Sequence, residues 1–111
     1  MAELTVHWTR PQDAAAFERD YVETHLPLTR QWAELLFTQF SRTIDPTAAE
    51  DPVAYTFRAQ FTSEAALQAA LQAPITQRIQ DDADRLGRTY ASTSRLLILS
   101  DPIDVAITGA A

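Results

Sequence analysis

The amino-acid sequence predicts an α+β fold in which a four-stranded antiparallel sheet carries helices on one face. Three observations indicate this class. The 111 residues, 46% of them hydrophobic, suffice to bury one core without disulfides or a structural metal. Apolar and polar side chains alternate in several short stretches, as is typical of half-buried strands. Capped or proline-bounded segments with helical spacing lie between them. No repeat or low-complexity segment divides the chain, so we treat residues 1–111 as a single domain.

The chain begins with a predicted strand and a capped helix. Apolar and polar side chains alternate over residues 4–9, which indicates a strand. The turn that follows ends at Asp13, whose carboxylate is a suitable N-cap for a helix over residues 14–24. We therefore expect a strand followed by a helix at the start of the fold.

Pro27 divides the first helical region. Proline lacks a backbone N–H and disfavours the helical conformation of the residue before it, so the helix is expected to end or kink near His25. Because proline is tolerated in a first helical turn, a second segment is predicted over residues 27–35. The helix dipole at such a corner would favour a protonated His25, and burial would oppose protonation.

The middle of the chain predicts two strands. Residues 37–44 form the second strand, and a polar loop follows around residues 45–47. Residues 53–61 show the clearest alternation in the sequence, with one apolar face and one mixed face.

The last third of the chain predicts a helix in two pieces and a final strand. Ser63 caps a helix that runs to residue 72, and Pro74 opens another with three apolar residues on one face, Ile75, Ile79 and Leu86. Residues 95–99 are an apolar strand, and the tail over residues 103–111 has no clear assignment.

The predicted order is strand, helix, strand, strand, helix, strand. Two βαβ-like units around an antiparallel centre describe a ferredoxin-like βαββαβ sandwich with its helices on one sheet face. The other face would stay open in a monomer. On the third strand that face carries Thr56, Arg58 and Gln60, a mixed surface that suits packing against a second copy of the sheet.

The composition excludes several classes of function. The chain has no cysteine, which excludes thiol nucleophiles and zinc thiolate sites. It has no lysine, so a Schiff-base cofactor has no attachment point. Two glycines cannot make a phosphate-binding loop or a dinucleotide fingerprint. A net charge of −6 argues against nucleic acid, and no apolar run approaches a membrane span. We expect a cytoplasmic protein that contacts neither nucleic acid nor membrane.

One line of side chains on the first helix is the best candidate site. Phe17, Tyr21 and His25 are spaced four residues apart, so they project in nearly one direction. The arrangement predicts either an ordinary aromatic core or a small pocket with a titratable group. In the structural alternative, His25 bonds a free carbonyl at the helix corner and Tyr21 only packs.

The same residues resemble the EthD family. The resemblance rests on Pro11, Phe17, Tyr21 and the run His25-Leu26-Pro27-Leu28. It continues through residues 61–67, Ala70-Leu71 and the acidic pair Asp81-Asp82, and so spans nearly the whole chain. It departs from the family pattern at residues 84–87, where an asparagine and an aromatic residue are expected.

The resemblance implies a homodimer in which two sheets close into an α/β barrel, with a pocket between sheet and helices in each protomer. The founding member is linked to bacterial degradation of ethyl tert-butyl ether. Relatives in the wider superfamily include cofactor-free isomerases, monooxygenases, polyketide cyclases and dehydratases.

We assign candidate roles on these grounds. His25 is the expected catalytic acid or base, because imidazole titrates near neutral pH, and Tyr21 is expected to orient it or to donate to a substrate oxygen. The predicted walls of a small-molecule pocket are Trp8, Phe17, Leu28, Trp32, Tyr55 and Phe57. His7 is expected to face the dimer barrel. The acidic residues Asp81, Asp82 and Asp84 are interpreted as a solvated helix face, and no metal site is predicted.

Three functions remain open from the sequence. The first is a cofactor-independent enzyme that isomerises, cyclises, dehydrates or decarboxylates a small apolar carbonyl compound through His25. The second is a non-catalytic dimeric binding or carrier module for a hydrophobic metabolite. The third is a haem-binding dimer with a histidine ligand.

Overall fold

The computed structural model describes residues 1–44 and 53–103. Its elements are β1 (Ala2–Thr9), α1 (Ala14–Asp20), a π-helical turn (Tyr21–His25), α2 (Leu26–Thr29), β2 (Leu35–Arg42), β3 (Val53–Phe61), α3 (Glu64–Gln72), α4 (Pro74–Tyr90) and β4 (Ser94–Leu99). The α+β class and the predicted order of elements are confirmed. The predicted loop over 45–47 and the tail beyond residue 103 lie outside the described residues.

The four strands form one antiparallel sheet in the order β2-β3-β1-β4. Val6, in the middle of β1, lies opposite Phe57 of β3 on one side and Leu96 of β4 on the other. Each of the two helical connections crosses over one intervening strand. This is the ferredoxin-like topology that the sequence predicts.

The core lies between the sheet and the helices. Because side chains alternate across a strand, every second residue of β3 is buried under the helices and the others are half-buried on the opposite face. The largest fully buried side chains are Trp8, Tyr21, Phe17, Phe57, Phe61, Leu67 and Leu86. Each contributes about 1.5–3 kcal/mol by leaving water, so this layer holds the helices in place.

The first helical region differs from the prediction near His25. The backbone stays helical there. It continues through the π-helical turn, in which the N–H of Leu26 donates to the carbonyl oxygen of Tyr21, and passes into α2. Pro27 lies in the first turn of α2, where a backbone N–H is not needed, so the chain accommodates it without a break.

The boundaries around this region shift as a result. The second helical segment ends at Thr29 instead of residue 35, and β2 begins at Leu35, two residues before the prediction. The other strands and helices begin within two residues of their predicted positions. Ser63 caps α3 by accepting a hydrogen bond from the backbone of Ala66 at 3.0 Å, and Pro74 opens α4.

The strand β4 is exposed along its whole length in the protomer. It lies at the edge of the sheet, and its apolar residues from Leu96 to Leu99 remain 38–51% exposed. On the open face beside it, Arg58 pairs with Glu3 at 2.6 Å. None of the described helices is long and apolar enough to span a membrane.

Candidate functional site

The π-helical turn brings two polar aromatic side chains together under the sheet. Tyr21 and His25 are 1% and 4% exposed, and their ring centroids lie 4.7 Å apart. Phe40 stacks on the phenol ring of Tyr21, with the two ring centroids 4.0 Å apart. Single π-helical turns inside α-helices are frequent at functional sites, because they re-aim side chains that a regular helix would place differently.

His25 is held by a carboxylate from α4. Its Nδ1 lies 2.8 Å from Oδ2 of Asp82, and both side chains are largely buried. An ionised carboxylate can only accept, so Nδ1 carries the proton and donates a hydrogen bond to Asp82. Nε2 is then the free nitrogen of the ring.

Asp82 belongs to a longer chain of charges. Its second oxygen accepts from Nε of Arg85 at 2.8 Å, and the same guanidinium donates twice to Asp20, also at 2.8 Å. The hydroxyl of Tyr90 donates to Asp20 at 2.8 Å. Alternating charges therefore run from α1 to His25, and each carboxylate is paired with a cation or a donor.

The pKa values follow from this arrangement. Burial lowers the pKa of His25, although the hydrogen bond to Asp82 opposes the shift, so the imidazole is neutral at pH 7. Burial raises the pKa of Asp82, but the bonds from Arg85 and His25 outweigh it and hold that pKa below its ordinary value. Burial also raises the pKa of Tyr21, which keeps the phenol protonated. The site thus pairs an ionised carboxylate with a neutral imidazole and a neutral phenol.

A cavity of about 140 Å³ lies beside Tyr21 and His25, between the sheet and the helices. Most of its wall is apolar, and every strand except β2 contributes to it. The lining residues are Leu4, Val6, Trp8, Tyr21, His25, Thr29, Trp32, Phe57, Leu71, Thr76, Ile79, Gln80, Ala83, Ser94 and Leu96. A volume close to 150 Å³ holds one benzene-sized ring.

Few of the polar groups around this cavity are free to bind a ligand. The hydroxyl of Thr29 donates to the carbonyl of Leu26 at 2.7 Å, and the indole N–H of Trp32 donates to Thr76 at 2.9 Å. Among the described residues, the Tyr21 hydroxyl and Nε2 of His25 have no such bond. The ring centroids of Tyr21 and His25 lie 4.7 Å apart, and both residues line the same cavity.

The structure brings together some of the predicted pocket residues and separates others. Trp8, Trp32 and Phe57 line the cavity with Tyr21 and His25. The remaining three predicted walls, Phe17, Leu28 and Tyr55, do not line it.

Their positions explain the difference. Phe17 lies one turn earlier, fully buried against the edge of the Tyr90 ring at 5.5 Å. Tyr55 is near the start of β3, where its hydroxyl donates to Glu18 at 3.0 Å. Leu28 projects toward α4 and borders a separate surface hollow with Arg78.

His7 lies away from the cavity. It borders a more polar groove of about 290 Å³ at one end of the sheet, together with Thr93 and Arg95. It pairs across the sheet with Arg95 on β4 and with Thr56 on β3. Its strand neighbours Val6 and Trp8 line the His25 cavity, so the two histidines belong to opposite sides of the sheet.

Asp82 is the site residue that the prediction misassigned. The interpretation of the acidic run as a solvated face is wrong for this residue, because its carboxylate is bonded to His25. Helical spacing could have predicted that Asp82 faces inward. Asp82 is three residues after Ile79 and four before Leu86, both buried, so it shares their face. Asp81 and Asp84 point outward and accept hydrogen bonds from glutamines one turn earlier.

Within residues 1–44 and 53–103, no cluster of three or more His, Asp or Glu side chains is placed to hold a metal ion. The carboxylates nearest to His25 are paired with Arg85.

Comparison with solved structures relates this fold to known proteins. No protein-family model and no curated protein sequence matches the chain. An EthD family protein from Bacillus halodurans superposes with a TM-score of 0.77 at 22% identity, over 92% of this chain and 99% of that one. The EthD-like fold predicted from the sequence is therefore confirmed.

Two further structures share the fold. SnoaB, a cofactor-independent oxygenase from Streptomyces nogalater, matches with a TM-score of 0.63 at 21% identity, over 94% of this chain and 95% of that one. A protein from Arabidopsis thaliana matches with a TM-score of 0.70 at 10% identity, over 96% and 100% of the two chains.

Proposed function

We propose that this protein is a cofactor-independent enzyme that moves a proton next to the carbonyl group of a small, apolar compound. The hydrogen bond between His25 and Asp82, beside an apolar cavity, carries the proposal. His25 acts as the base and Tyr21 as the donor to the carbonyl oxygen. The reaction class is isomerisation, cyclisation, dehydration or decarboxylation.

The roles follow from protonation states. Asp82 fixes the imidazole with its proton on Nδ1, so Nε2 offers a lone pair to a substrate C–H or O–H. When Nε2 takes that proton, the imidazolium is stabilised by the carboxylate. Because the folded pKa of His25 is lowered, the imidazole is available as a base at neutral pH.

Tyr21 supplies the complementary group. Its raised pKa keeps it protonated, so it donates to a carbonyl oxygen and stabilises the negative charge that develops there as His25 removes a proton. The two rings are in contact, with centroids 4.7 Å apart, so both can reach neighbouring atoms of one small ligand.

Cavity size sets the ligand class. About 140 Å³ admits a single ring or a short branched chain. Pockets for drug-sized ligands begin at roughly 300 Å³, and a porphyrin is larger still, so the haem alternative does not fit this protomer cavity. Cofactor-independent catalysis in this fold has a precedent in SnoaB, which is described as a cofactor-independent oxygenase.

The proposal includes a homodimer. The edge strand β4 exposes a continuous apolar run in the protomer, and such edges in natural proteins are normally covered or paired. Leu97 and Leu99 lie on the open sheet face, while Leu96 lines the cavity and is 51% exposed. A second copy packed on this face would bury Leu97 and Leu99.

Hydrogen–deuterium exchange at carbon tests the chemical step without knowledge of the product. Single-ring ketones are incubated with the protein in D₂O, and loss of the α-proton signals is followed by NMR. The wild type is expected to accelerate exchange, and His25→Asn to lose about 100- to 10,000-fold of that acceleration. His7→Asn is the matched control, because His7 borders a different groove.

Binding is followed in the same samples through the imidazole resonances of the two histidines. A ligand that moves the His25 signal without any exchange would refute the enzyme and favour the carrier module. If no ketone moves the His25 signal or exchanges its α-protons, both the pocket and the chemistry are refuted.

A further inference from the structure

Among the described residues, the indole N–H of Trp8 is a fully buried side-chain donor without a hydrogen-bond partner. Trp8 is 1% exposed, and its Nε1 is buried without a hydrogen-bond acceptor among the described residues. Leaving a buried donor unpaired costs about 1–3 kcal/mol. Trp32, the second tryptophan of the same cavity, is fully bonded through Thr76. Of the two tryptophan N–H groups at this cavity, only that of Trp8 lacks a partner among the described residues.

The neighbour of this N–H is the Tyr21 hydroxyl. The two rings meet edge to face, with centroids 6.0 Å apart. The Trp8 indole acts to lower the pKa of the Tyr21 phenol, against the larger rise that burial causes, while its N–H has no hydrogen-bond partner among the described residues. Both residues line the cavity.

An indole N–H can donate but cannot accept. If it bonds to Tyr21, the phenol oxygen is the acceptor and the phenol proton must point elsewhere. No described residue takes that proton, so the direction left for it is the cavity. A ligand oxygen that accepts from Tyr21 would draw the hydroxyl into line with Trp8, and each bond would polarise the next.

We propose that Trp8 is a positioning residue that, through a relay from its N–H to the Tyr21 oxygen and from the Tyr21 hydroxyl to the ligand, selects ligands with an acceptor oxygen. This inference rests on the proposed acid–base function and deepens it. A carbonyl or enolate oxygen completes the relay. A hydrocarbon of the same shape leaves the Trp8 N–H unpaired, so it binds less tightly.

Two ligands of matched shape test the relay: cyclohexanone and methylenecyclohexane, in which a CH₂ group replaces the oxygen. The chain contains two tryptophans, so the ¹⁵N-labelled protein gives two indole signals, assigned with Trp8→Phe and Trp32→Phe. Cyclohexanone is expected to move the Trp8 N–H signal downfield, in the direction of hydrogen bonding, while the Trp32 signal stays in place. Methylenecyclohexane should bind without the downfield movement.

Affinity gives a second readout. Trp8→Phe removes the N–H together with one ring of the indole, so the readout is the ratio of the two affinities: cyclohexanone binding should weaken by about 3- to 10-fold more than methylenecyclohexane binding. If that variant fails to fold, the indole signals of the wild type decide alone.

The outcomes separate this inference from the proposed function. If cyclohexanone moves the His25 signal while the Trp8 N–H stays still, the relay is refuted and the acid–base site stands. Equal weakening of both ligands by Trp8→Phe refutes the relay in the same way. If neither compound disturbs any cavity residue, the pocket itself is refuted and the relay with it.

Discussion

Replacing Asp82 by asparagine should separate the His25 network from an ordinary helix surface. The carboxylate accepts one bond from His25 and one from Arg85, both at 2.8 Å. Loss of a charge-assisted bond costs about 1.5–3 kcal/mol. The Arg85 bond adds less, because that guanidinium is 37% exposed and solvent screens it. We expect Asp82→Asn to lower the free energy of unfolding by about 2–3 kcal/mol in total.

The matched control is Asp81→Asn, on the same helix. Asp81 is exposed and bonds only to Gln77, so its neutralisation should change stability by less than about 0.5 kcal/mol. Urea unfolding at fixed protein concentration gives both values, and the melting temperature of Asp82→Asn should fall by about 8–12 °C. In the same variant the His25 pKa should fall further, because the favourable carboxylate is lost. Equal stability of the two variants would refute the network.

Three other predictions concern pH, a helix end and assembly. Because the folded pKa of His25 is below its unfolded value of about 6.5, neutral His25 stabilises the fold above that pH, and the contribution is lost as pH falls through the folded pKa. His25→Asn should therefore flatten the pH dependence of urea-measured stability just below pH 6.5, and an unchanged slope would contradict this. Ala91 caps α4 at φ 51°, and relief of about 1–2 kcal/mol of left-handed strain exceeds the about 0.4–1 kcal/mol of added chain entropy, so Ala91→Gly should stabilise the protein by about 0.5–1 kcal/mol in thermal unfolding. A lower melting temperature in the variant would contradict this. Leu97→Arg, on the open sheet face, should convert the proposed dimer into a monomer, as measured by analytical sedimentation. Asp81→Arg is the control and should leave the dimer intact. A wild type that sediments as a monomer would contradict the proposed assembly.

The fold could be predicted from the sequence because its signals are local and periodic. The alternation over β3, the N-cap at Ser63 and the helix start at Pro74 each depend on a few neighbouring residues. The structure has all three features at the predicted positions. The end of the first helix could not be placed in this way. Pro27 forbids one hydrogen bond, but whether the chain then stops or widens into a π-helical turn depends on burial of Tyr21 and His25 against the sheet.

Only the part of the candidate site that lies on the first helical region could be predicted from the sequence. His25 and Tyr21 follow from spacing on one helix, whereas Asp82 comes from α4, 57 residues later, and its role depends on how two helices pack. The same limit applies to the pocket walls. Phe17 is apolar, inward and four residues from Tyr21, yet it packs beside the cavity, because one helical turn moves it past the cavity's end.

The chemistry of the site narrows the substrates that deserve assay. One base and one neutral donor supply about 100- to 10,000-fold acceleration as general acid and base, which suffices for a C–H bond beside a carbonyl. An unactivated ether offers no acidic proton to His25 and no oxygen on which charge accumulates, so the same pair has little to act on. The cavity of about 140 Å³ adds a limit of one ring, and the protonated Tyr21 adds a requirement for an acceptor oxygen. Single-ring ketones and lactones satisfy all three conditions, and the first assays should begin with them.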